Sequence, residues 1–231
     1  HCPTCGLTRQ GNTTVYTHVP LRPQLAGLHA DPVWRAAIER GDLLRGRRED
    51  EYMRSIHDSP AYADFYQANP TMQGVVLGAL STDGVNPFKG VKYSMWPFMW
   101  KILNYPPHLA SRTDLMLLVG VVHGPKSPKS IQPVLKLIVE DLIELWNGVP
   151  VGDLSEEGVL LTIRACLFLV IGDYPALSKL RLQQEGGSLC GCMFCNLRGE
   201  SVPVLNTVVY SAGPRMLPLG DPDRGPDRTP P

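Results

Sequence analysis

"GVVLGALSTDG", residues 74–84, is a run of small and apolar residues that stops at an aspartate and a glycine. Its first part, Val75 to Ser81, has the length and the β-branched content of a buried strand. Asp83 therefore lies just past the end of a predicted strand. Because Asp-Gly is also a common turn pair, two interpretations stay open here: Asp83 is a turn residue, or the strand holds a functional carboxylate in place.

Two more strand-like segments follow. Residues 91–100 and 114–122 are rich in apolar and aromatic side chains, and the connections between the three segments are short. Successive strands with short connections predict an antiparallel meander, since a parallel pair needs a long crossover between its members.

A helix and a fourth strand complete the predicted sheet. Apolar residues recur with a helical period after Ser130, which can cap the helix, at Ile131, Val134, Leu135, Ile138, Leu142 and Trp146. Gly148 can end this helix. Residues 158–176 are apolar almost throughout and predict a buried strand, which should pair in parallel with an earlier strand because a helix leads into it. The predicted fold class is therefore α/β, with a mixed sheet in the order strand, strand, strand, helix, strand.

A second aspartate, Asp173, ends the apolar run 158–176, 90 residues after Asp83. If the two strands are neighbours, their ends place the two carboxylates side by side. Carboxylates at that distance repel, and a divalent cation such as Mg²⁺ or Mn²⁺ keeps both ionised. Two such ions about 3.5–4 Å apart promote phosphoryl transfer, so the pattern indicates nuclease or transposase chemistry. Turn chemistry explains each aspartate separately as well.

Composition limits the possible functions. The chain has 231 residues, of which 43% are hydrophobic, enough to bury a sizeable core. Lys plus Arg and Asp plus Glu both number 22, so the net charge is zero and any DNA binding requires a local basic patch. The mixed-charge run at 45–51 is interpreted as a solvated face or loop.

The ends of the chain and its apolar runs bear on localisation. No apolar run approaches the roughly 20 residues that cross a bilayer, and the first residues lack a signal peptide, so we expect a soluble intracellular protein without membrane contact. The chain opens at His1 without a methionine, so we expect a fragment or a processed piece.

Cysteine usage predicts zinc more readily than disulfides in such a protein. Cys192 and Cys195 can supply two thiolates to Zn²⁺ and Cys190 a third, but a tetrahedral site needs four ligands. Cys2 and Cys5 can complete a four-cysteine site, or each pair has its remaining ligands elsewhere; a redox role is the weaker alternative. The sixth cysteine, Cys166, lies in an apolar run and is predicted to be a core residue.

These segments together resemble a known family. "LGALSTDGVNPFKG" (77–90) and "YSMWP" (93–97) resemble the TDG-x-NPF and YS-x-WP segments of CACTA (Enhancer/Suppressor-mutator type) transposases. The likeness continues through "HGPKSPKS" (123–130), "GDYPALSKL" (172–180) and "CMFC" (192–195), and it includes "CPTCG" (2–6) before the core. It covers almost the whole chain.

The resemblance implies an RNase H-like fold and a DDE transposase, which cleaves DNA at transposon ends and joins it to a target in a metal-dependent reaction. Asp83 matches the first acidic residue and Asp173 the second. The implied partners are DNA and, beside it, further copies of the chain or another transposon-encoded subunit. The implied location is the nucleus.

The domain organisation expected on this basis has three parts. Residues 1–70 hold the first Cys-x-x-Cys and a helical region, with a helix starting at Asp31 and stopping at Gly41. Residues 71–188 are the partial RNase H-like core. Residues 189–231 are a Cys-rich, zinc-knuckle-like segment with a disordered Pro/Gly-rich tail.

Departures from the family pattern suggest a truncated or decaying copy. No strand and helix after Cys195 are evident to carry a third acidic residue, and Glu200 is predicted to lie in a loop. Pro214 and Asp221 stand where the resemblance leads us to expect histidines, and Asn104-Tyr105 stands in altered order. The rival hypotheses are an inactive remnant or co-opted DNA- or protein-binding module, and an unrelated Mg²⁺-dependent phosphohydrolase.

The remaining candidates receive no firm role. His108 and His123 flank turns, and a lone histidine is usually a polar surface or capping residue. Lys126 and Lys129 are weak candidates for phosphate contacts. Trp96, Trp100 and Trp146 are predicted to pack in the core.

Overall fold

The computed structural model describes residues 15–44, 52–110, 112–182, 188–191 and 198–210. They divide into two compact units between Ile171 and Gly172. The predictions for Cys2, Cys5, the run 45–51, Cys192, Cys195 and the tail lie outside the described residues.

Six helices and nine strands are described. The strands are β1 (Tyr16–His18), β2 (Val76–Thr82), β3 (Trp96–Ile102), β4 (Leu117–Val122), β5 (Val149–Gly152), β6 (Leu160–Ile163), β7 (Ala165–Ile171), β8 (Glu200–Val202) and β9 (Thr207–Val209). The helices are α1 (Leu21–Ala30), α2 (Pro32–Asp42), α3 (Pro60–Ala68), α4 (Pro107–Ala110), α5 (Gln132–Asn147) and α6 (Tyr174–Leu180). Short 3₁₀ turns cover Ile56–Asp58, Thr113–Leu115 and Pro203–Leu205.

The first unit is built on a five-stranded mixed sheet in the order β1-β4-β3-β2-β7. Strands β2, β3 and β4 form the predicted antiparallel meander. β7 pairs with β2 in parallel, as the helical crossover predicted. The α/β class and the mixed sheet are therefore confirmed.

Strand β2 is an interior strand of this sheet, between β3 and β7, and is buried along nearly all its length. Helix α3 packs Tyr62 and Tyr66 into one cluster with Leu77 and Ala79. At Gly78 a Cβ would lie only 1.8 Å from the ring of Trp100, so glycine lets that indole lie across the strand. The small residues in "GVVLGAL" thus make room for large aromatic neighbours.

The limits of the predicted meander strands were partly wrong. The second strand begins at Trp96 rather than at residue 91, and the third begins at Leu117 after a 3₁₀ turn over Thr113–Leu115. Both strands were predicted from apolar composition alone. Composition does not distinguish residues that pair in a sheet from residues in the loop that leads into the strand.

The apolar run 158–176 was predicted as one strand and contains two. β6 pairs antiparallel with β5 in a separate two-stranded sheet, and β7 begins two residues after β6 ends, beyond Arg164. The run continues no further than Ile171 as a strand. Both halves of the run are apolar, so composition does not show the break. It becomes visible only because the two halves pair with different strands.

Helix α5 confirms the predicted helix and its end. Gly148 follows it with φ of 100°, a conformation that favours glycine, and the Gln132 backbone N–H donates to Ser130 Oγ (3.3 Å). The buried face differs at its carboxyl end: Leu145 is fully buried, whereas Trp146 is 40% exposed. The core prediction for Trp146 was therefore wrong, while Trp96 and Trp100 are buried as predicted.

The segment before residue 31 was expected to lack any long element because of its prolines, and this was wrong. Pro20 precedes α1 and Pro23 lies in its first turn, where a missing N–H costs no helical hydrogen bond. β1 joins the edge of the sheet by pairing antiparallel with β4. The next helix, α2, begins as predicted, since the Val33 N–H donates to Asp31 Oδ1 (2.8 Å), and it ends one residue past Gly41.

Asn104 is fully buried two residues beyond β3 and hydrogen bonds to several neighbouring segments. Its Oδ1 accepts from the Leu77 N–H (2.6 Å), and its Nδ2 donates to the Val75 carbonyl (3.0 Å). The same Nδ2 donates to Asp42 Oδ1 (2.9 Å) in α2. The Tyr105 hydroxyl in turn accepts from Trp34 Nε1 (2.5 Å). Both residues whose order departs from the family pattern therefore take part in buried hydrogen bonds.

Arg35 and Asp153 form a two-pronged ion pair that ties α2 to the residue after β5. The guanidinium Nη2 donates to both carboxylate oxygens, at 2.9 and 2.8 Å, and the side chains are only 18% and 10% exposed. Hydrogen bonds from the Ser155 hydroxyl and N–H, together with Arg35, lower the pKa of Asp153 to about 2.

We predict that this carboxylate stabilises the fold above pH 4 and that its contribution is lost as the pH falls towards 2. The sign follows because the pKa in the folded chain is below the unfolded value of about 3.9. Asp153→Asn should be less stable than the parent at pH 7 and should differ much less at pH 2, as measured by urea midpoints. Glu156→Gln, an exposed neighbour, is the control; a constant difference between Asp153→Asn and the parent across this range would contradict the prediction.

The second unit, described by itself, contains α6 and the β8–β9 hairpin. Glu200 lies in β8 and not in a loop as expected, although it is exposed. The turn that carries Cys190 is held to this hairpin, because the Gly199 N–H donates to the Leu189 carbonyl (2.7 Å) and the Gly191 N–H to the Tyr210 hydroxyl (2.8 Å). Across the described parts of both units, no helix is both long and apolar enough to span a membrane.

Candidate active site

Asp83 lies one residue beyond β2, at the carboxyl end of that interior strand. Its side chain is exposed, and its Oδ1 accepts a hydrogen bond from the Gly84 N–H (2.6 Å). The preceding residue, Thr82, is buried and donates its hydroxyl to the Pro97 carbonyl (2.9 Å). The backbone that carries the Asp83 carboxylate is therefore held by hydrogen bonds, and the carboxylate itself faces solvent.

Gly84 lies close against the tryptophan of the next strand. A Cβ at Gly84 would lie 3.0 Å from Nε1 and 3.1 Å from Cε2 of Trp96, so the indole would have to shift slightly to admit it. Trp96 Nε1 in turn donates to Ser94 Oγ (3.0 Å). The "TDG" and "YSMWP" segments are thus packed together, which gives their joint occurrence a structural reason.

The strand that leads to Asp173 runs beside β2 in the same direction. The parallel register pairs Ser81 with Ile171, near the carboxyl ends of both strands. Asp83 follows Ser81 by two residues, and Asp173 follows Ile171 by two residues and is the second residue of the second unit. There Asp173 caps α6, since its Oδ1 accepts from the Ala176 N–H (2.8 Å).

Both aspartates have a local backbone role, which is the predicted turn for Asp83 and a helix cap, not a turn, for Asp173. Asp83 orders the turn at Gly84, and Asp173 is an N-cap. In each case one carboxylate oxygen accepts the backbone bond. Within the described residues no hydrogen bond or ion pair to the other oxygen of Asp83 is present, so that oxygen can bind a cation.

The donor set bears on the kind of metal. Among the described residues no group of three or more His, Cys, Asp or Glu side chains could hold an ion. An all-protein cage is therefore absent from this part of the chain. One or two carboxylates, with water and substrate phosphate as the other ligands, fit Mg²⁺ or Mn²⁺ better than a structural ion.

The cysteine predictions are only partly covered by the structure. Cys190 is described and half-buried, in the turn held against β8 and β9. The remaining proposed zinc ligands, Cys2, Cys5, Cys192 and Cys195, lie outside the described residues. Cys166 is buried in the core as predicted, and burial raises the pKa of its thiol to about 11, which keeps it protonated and unreactive.

The two histidines differ in their surroundings. His123 Nε2 hydrogen bonds to Thr17 Oγ1 (2.8 Å), which ties the residue after β4 to β1. His108 lies exposed in α4. The contact of His123 with Thr17 links two strands and does not by itself indicate catalysis.

Two lysines lie close to Asp83 along the chain. Lys89 and Lys92 are both exposed in the loop that begins directly after Asp83, and no sequence motif indicated them. A signal was available: no Asp or Glu occurs between Asp83 and Asp114. A scan for acid-free segments, instead of net charge, would have found them.

Comparison with known proteins gives the class of this protein. Residues 50–229 match the model of a transposase family. That model is described as Transposase family tnp2, and because the match covers well over half of the chain, the chain belongs to this family. No curated protein matches the sequence.

Proposed function

We propose that this chain carries the catalytic core of a DDE transposase of the CACTA type, with an RNase H-like fold and with Asp83 and Asp173 as metal-binding carboxylates. Membership of the tnp2 transposase family supports the transposase role. The observation that carries the proposal is the parallel pairing of β2 and β7, in which Ser81 and Ile171 are partners.

The chain geometry limits how far each aspartate can lie from that pair. Consecutive Cα atoms are about 3.8 Å apart, so each aspartate Cα is within about 7.6 Å of its own strand residue. Parallel strands carry their carboxyl ends to the same edge, where ligands of open α/β sheets commonly bind. This supports a shared role for the two carboxylates.

The residues divide the proposed work between them. Asp83 and Asp173 would hold Mg²⁺ or Mn²⁺, which supplies Lewis-acid activation of a water or 3′-hydroxyl and stabilises the leaving oxygen at a DNA phosphodiester. The backbone bonds from Gly84 to Asp83 and from Ala176 to Asp173 limit the rotamers of both carboxylates. Such orientation of ligands by hydrogen bonds supports metal affinity.

Further parts of the proposal rest on the sequence. Cys192 and Cys195, with Cys190 and with Cys2 and Cys5 as completing ligands, would form a Cys-rich zinc-binding appendage. DNA is the proposed substrate, at transposon ends and target. Nuclear location and assembly with further copies or another transposon-encoded subunit follow from the same proposal.

A second candidate is a non-catalytic DNA- or protein-binding module on the same scaffold. One observation favours it: in the described residues after Asp173, Glu200 is the one carboxylate, and it lies on a short hairpin strand. The resemblance leads us to expect the third acidic residue on a helix. A chain that binds DNA and never cleaves it would fit this candidate.

The test is a strand-cleavage assay on labelled transposon-end DNA with the whole chain. We expect nicking with Mg²⁺ or Mn²⁺ and none with Ca²⁺ or with a chelator. Ca²⁺ binds more oxygen ligands at longer distances, so it does not reproduce the coordination geometry of the smaller ions. Mn²⁺ binding, followed by calorimetry or by paramagnetic broadening of residues near Asp83, is measured in parallel. Cleavage that persists in the chelator, or neither cleavage nor Mn²⁺ binding near Asp83, would reject the metal-dependent mechanism.

A further inference from the structure

Charge is segregated along this net-neutral chain. Between Gly84 and Val139 there is one carboxylate, Asp114, which is paired with its neighbour Arg112 (Nε to Oδ1, 3.0 Å). The same segment carries six lysines: Lys89, Lys92, Lys101, Lys126, Lys129 and Lys136. DNA binding by a neutral protein requires a local basic patch, and this segment has the excess of cations to form one.

Four of these lysines lie in two loops that we call the basic loop pair, residues 84–95 and 123–130. The first loop connects β2 to β3 and the second follows β4. Because β3 runs antiparallel to both neighbours, the carboxyl ends of β2 and β4 lie at the same edge of the sheet. Both loops therefore begin at the same end of the sheet as Asp83, which directly follows β2.

The two loops are in direct contact. The Ser94 N–H donates to the Pro125 carbonyl (3.0 Å). At Gly124 a Cβ would lie 2.7 Å from the Ser94 carbonyl oxygen and 3.0 Å from the ring of Tyr93, so glycine allows this close approach. The two loops are therefore packed against each other at Ser94 and Gly124.

The first loop has a pinned backbone under exposed side chains. Val85 and Met95 exchange two backbone hydrogen bonds of 2.8 Å across its base. Asn86 accepts from the Phe88 N–H (3.1 Å) and donates to the Val91 carbonyl (2.8 Å), which closes the tip. A surface fixed in this way loses little conformational entropy on binding.

The exposed side chains of the loop are of two kinds. Phe88 is 54% exposed, with its ring centroid 5.3 Å from that of Tyr93, and Val91 is 58% exposed. Lys89 and Lys92 are exposed, as are Lys126 and Lys129 in the second loop. Within the described residues no ion pair engages these four lysines. Uncompensated cations beside an exposed aromatic ring fit a nucleic acid strand, which offers phosphates and base faces together.

We propose that the basic loop pair is a DNA-contacting surface of this protein, with Lys89, Lys92, Lys126 and Lys129 at backbone phosphates and Phe88 against an unstacked base. The inference rests on the proposed function of Asp83, since the loop begins at the next residue and a strand that reaches Asp83 has to pass this edge. It adds the surface and the residues that would guide the strand.

The test measures DNA binding by the whole chain in a chelator, so that cleavage plays no part. Fluorescence anisotropy with a duplex that has a single-stranded extension is recorded from 50 to 200 mM salt. Removing two phosphate contacts should lower the slope of log K against log salt by about 1.8, or about 1.4 on single strands. We expect this for Lys89→Ala/Lys92→Ala.

The matched control removes two cations that lie in helices α1 and α5 and not in the two loops. In Arg22→Ala/Lys136→Ala the lost side chains are exposed and are paired with Glu144 and Glu140, so the slope should stay at the parental value. Phe88→Ala should weaken binding roughly tenfold with an unchanged slope, because base stacking involves no counterion release.

The outcomes separate the two proposals. Equal slopes for the parent and Lys89→Ala/Lys92→Ala, or an equal loss of slope in the control, would overturn the basic loop pair and leave cleavage at Asp83 unaffected. A parent that binds through these lysines and cleaves nothing would support the surface and count against the catalytic proposal. A parent that does not bind DNA would overturn both.

Discussion

Asp83→Asn is expected to lower the rate of Mn²⁺-dependent strand cleavage by more than about a hundredfold, since losing even an outer-sphere partner of a metal ligand costs 10- to 100-fold. The substitution is chosen because asparagine keeps a side-chain oxygen that can accept the Gly84 N–H, as Asp83 Oδ1 does. It removes the charge while preserving the turn. The turn interpretation therefore predicts normal folding and activity, and the metal interpretation predicts normal folding without activity.

Two companion variants complete this experiment. Asp173→Asn should lose activity in the same way and still fold, because asparagine is as good an N-cap as aspartate for α6. Asp114→Asn removes an exposed carboxylate that is paired with Arg112, and it should cleave like the parent. Thermal unfolding of all three variants tests whether the fold is intact. Full cleavage by Asp83→Asn would show that Asp83 is only a turn residue.

Gly41→Ala is expected to destabilise the fold by about 3 kcal/mol or more, at the upper end of the cost of overpacking. A Cβ at Gly41 would lie 1.5 Å from the carbonyl oxygen and 2.7 Å from the carbonyl carbon of Asn104. These are backbone atoms, and Asn104 is itself held by bonds to Leu77, Val75 and Asp42, so the segment cannot move aside alone. The gain in helix propensity of about 1 kcal/mol is too small to offset this.

Gly27→Ala is the matched control for this prediction. Gly27 lies inside α1, and a Cβ there would meet nothing within 4 Å. The same substitution should therefore stabilise the fold by about 0.5–1 kcal/mol through helix propensity alone. Urea unfolding followed by circular dichroism measures both variants. Similar midpoints for Gly41→Ala and Gly27→Ala would show that α2 and the Asn104 segment are less closely packed than the structure has them.

Local signals predicted the elements whose limits are set by local chemistry. Helix α5 combines a regular apolar period with a glycine at its end, and α2 has an aspartate cap followed by proline. Strand β2 lies between Gly74 and the turn pair Asp83-Gly84. In each case the residues that start or stop the element lie within it or beside it, so the pattern contains the information.

Elements defined by partners were predicted poorly. The run 158–176 divides at Arg164 because one half pairs with β5 and the other with β2, and those partners are remote in sequence. β1 becomes a strand through β4, about a hundred residues away. Leu145 and Trp146 are both compatible with the helical period of α5, and packing decides which is buried.

The candidate site shows the same division. Asp83 and Asp173 were identified because each ends an apolar strand, which is a local feature. The contact of Gly84 with Trp96 and that of Gly124 with Tyr93 depend on strand order, so no local pattern indicated that the two basic loops meet.

The sequence by itself determined the α/β class, the helical crossover and the position of Asp83 at a strand end, because apolar periodicity, caps and turn residues act over short distances. Only the tertiary structure decided which strands are neighbours, where the long apolar run breaks and which loops share the edge with Asp83. Those outcomes depend on hydrogen-bond ladders and packing between segments that are distant along the chain.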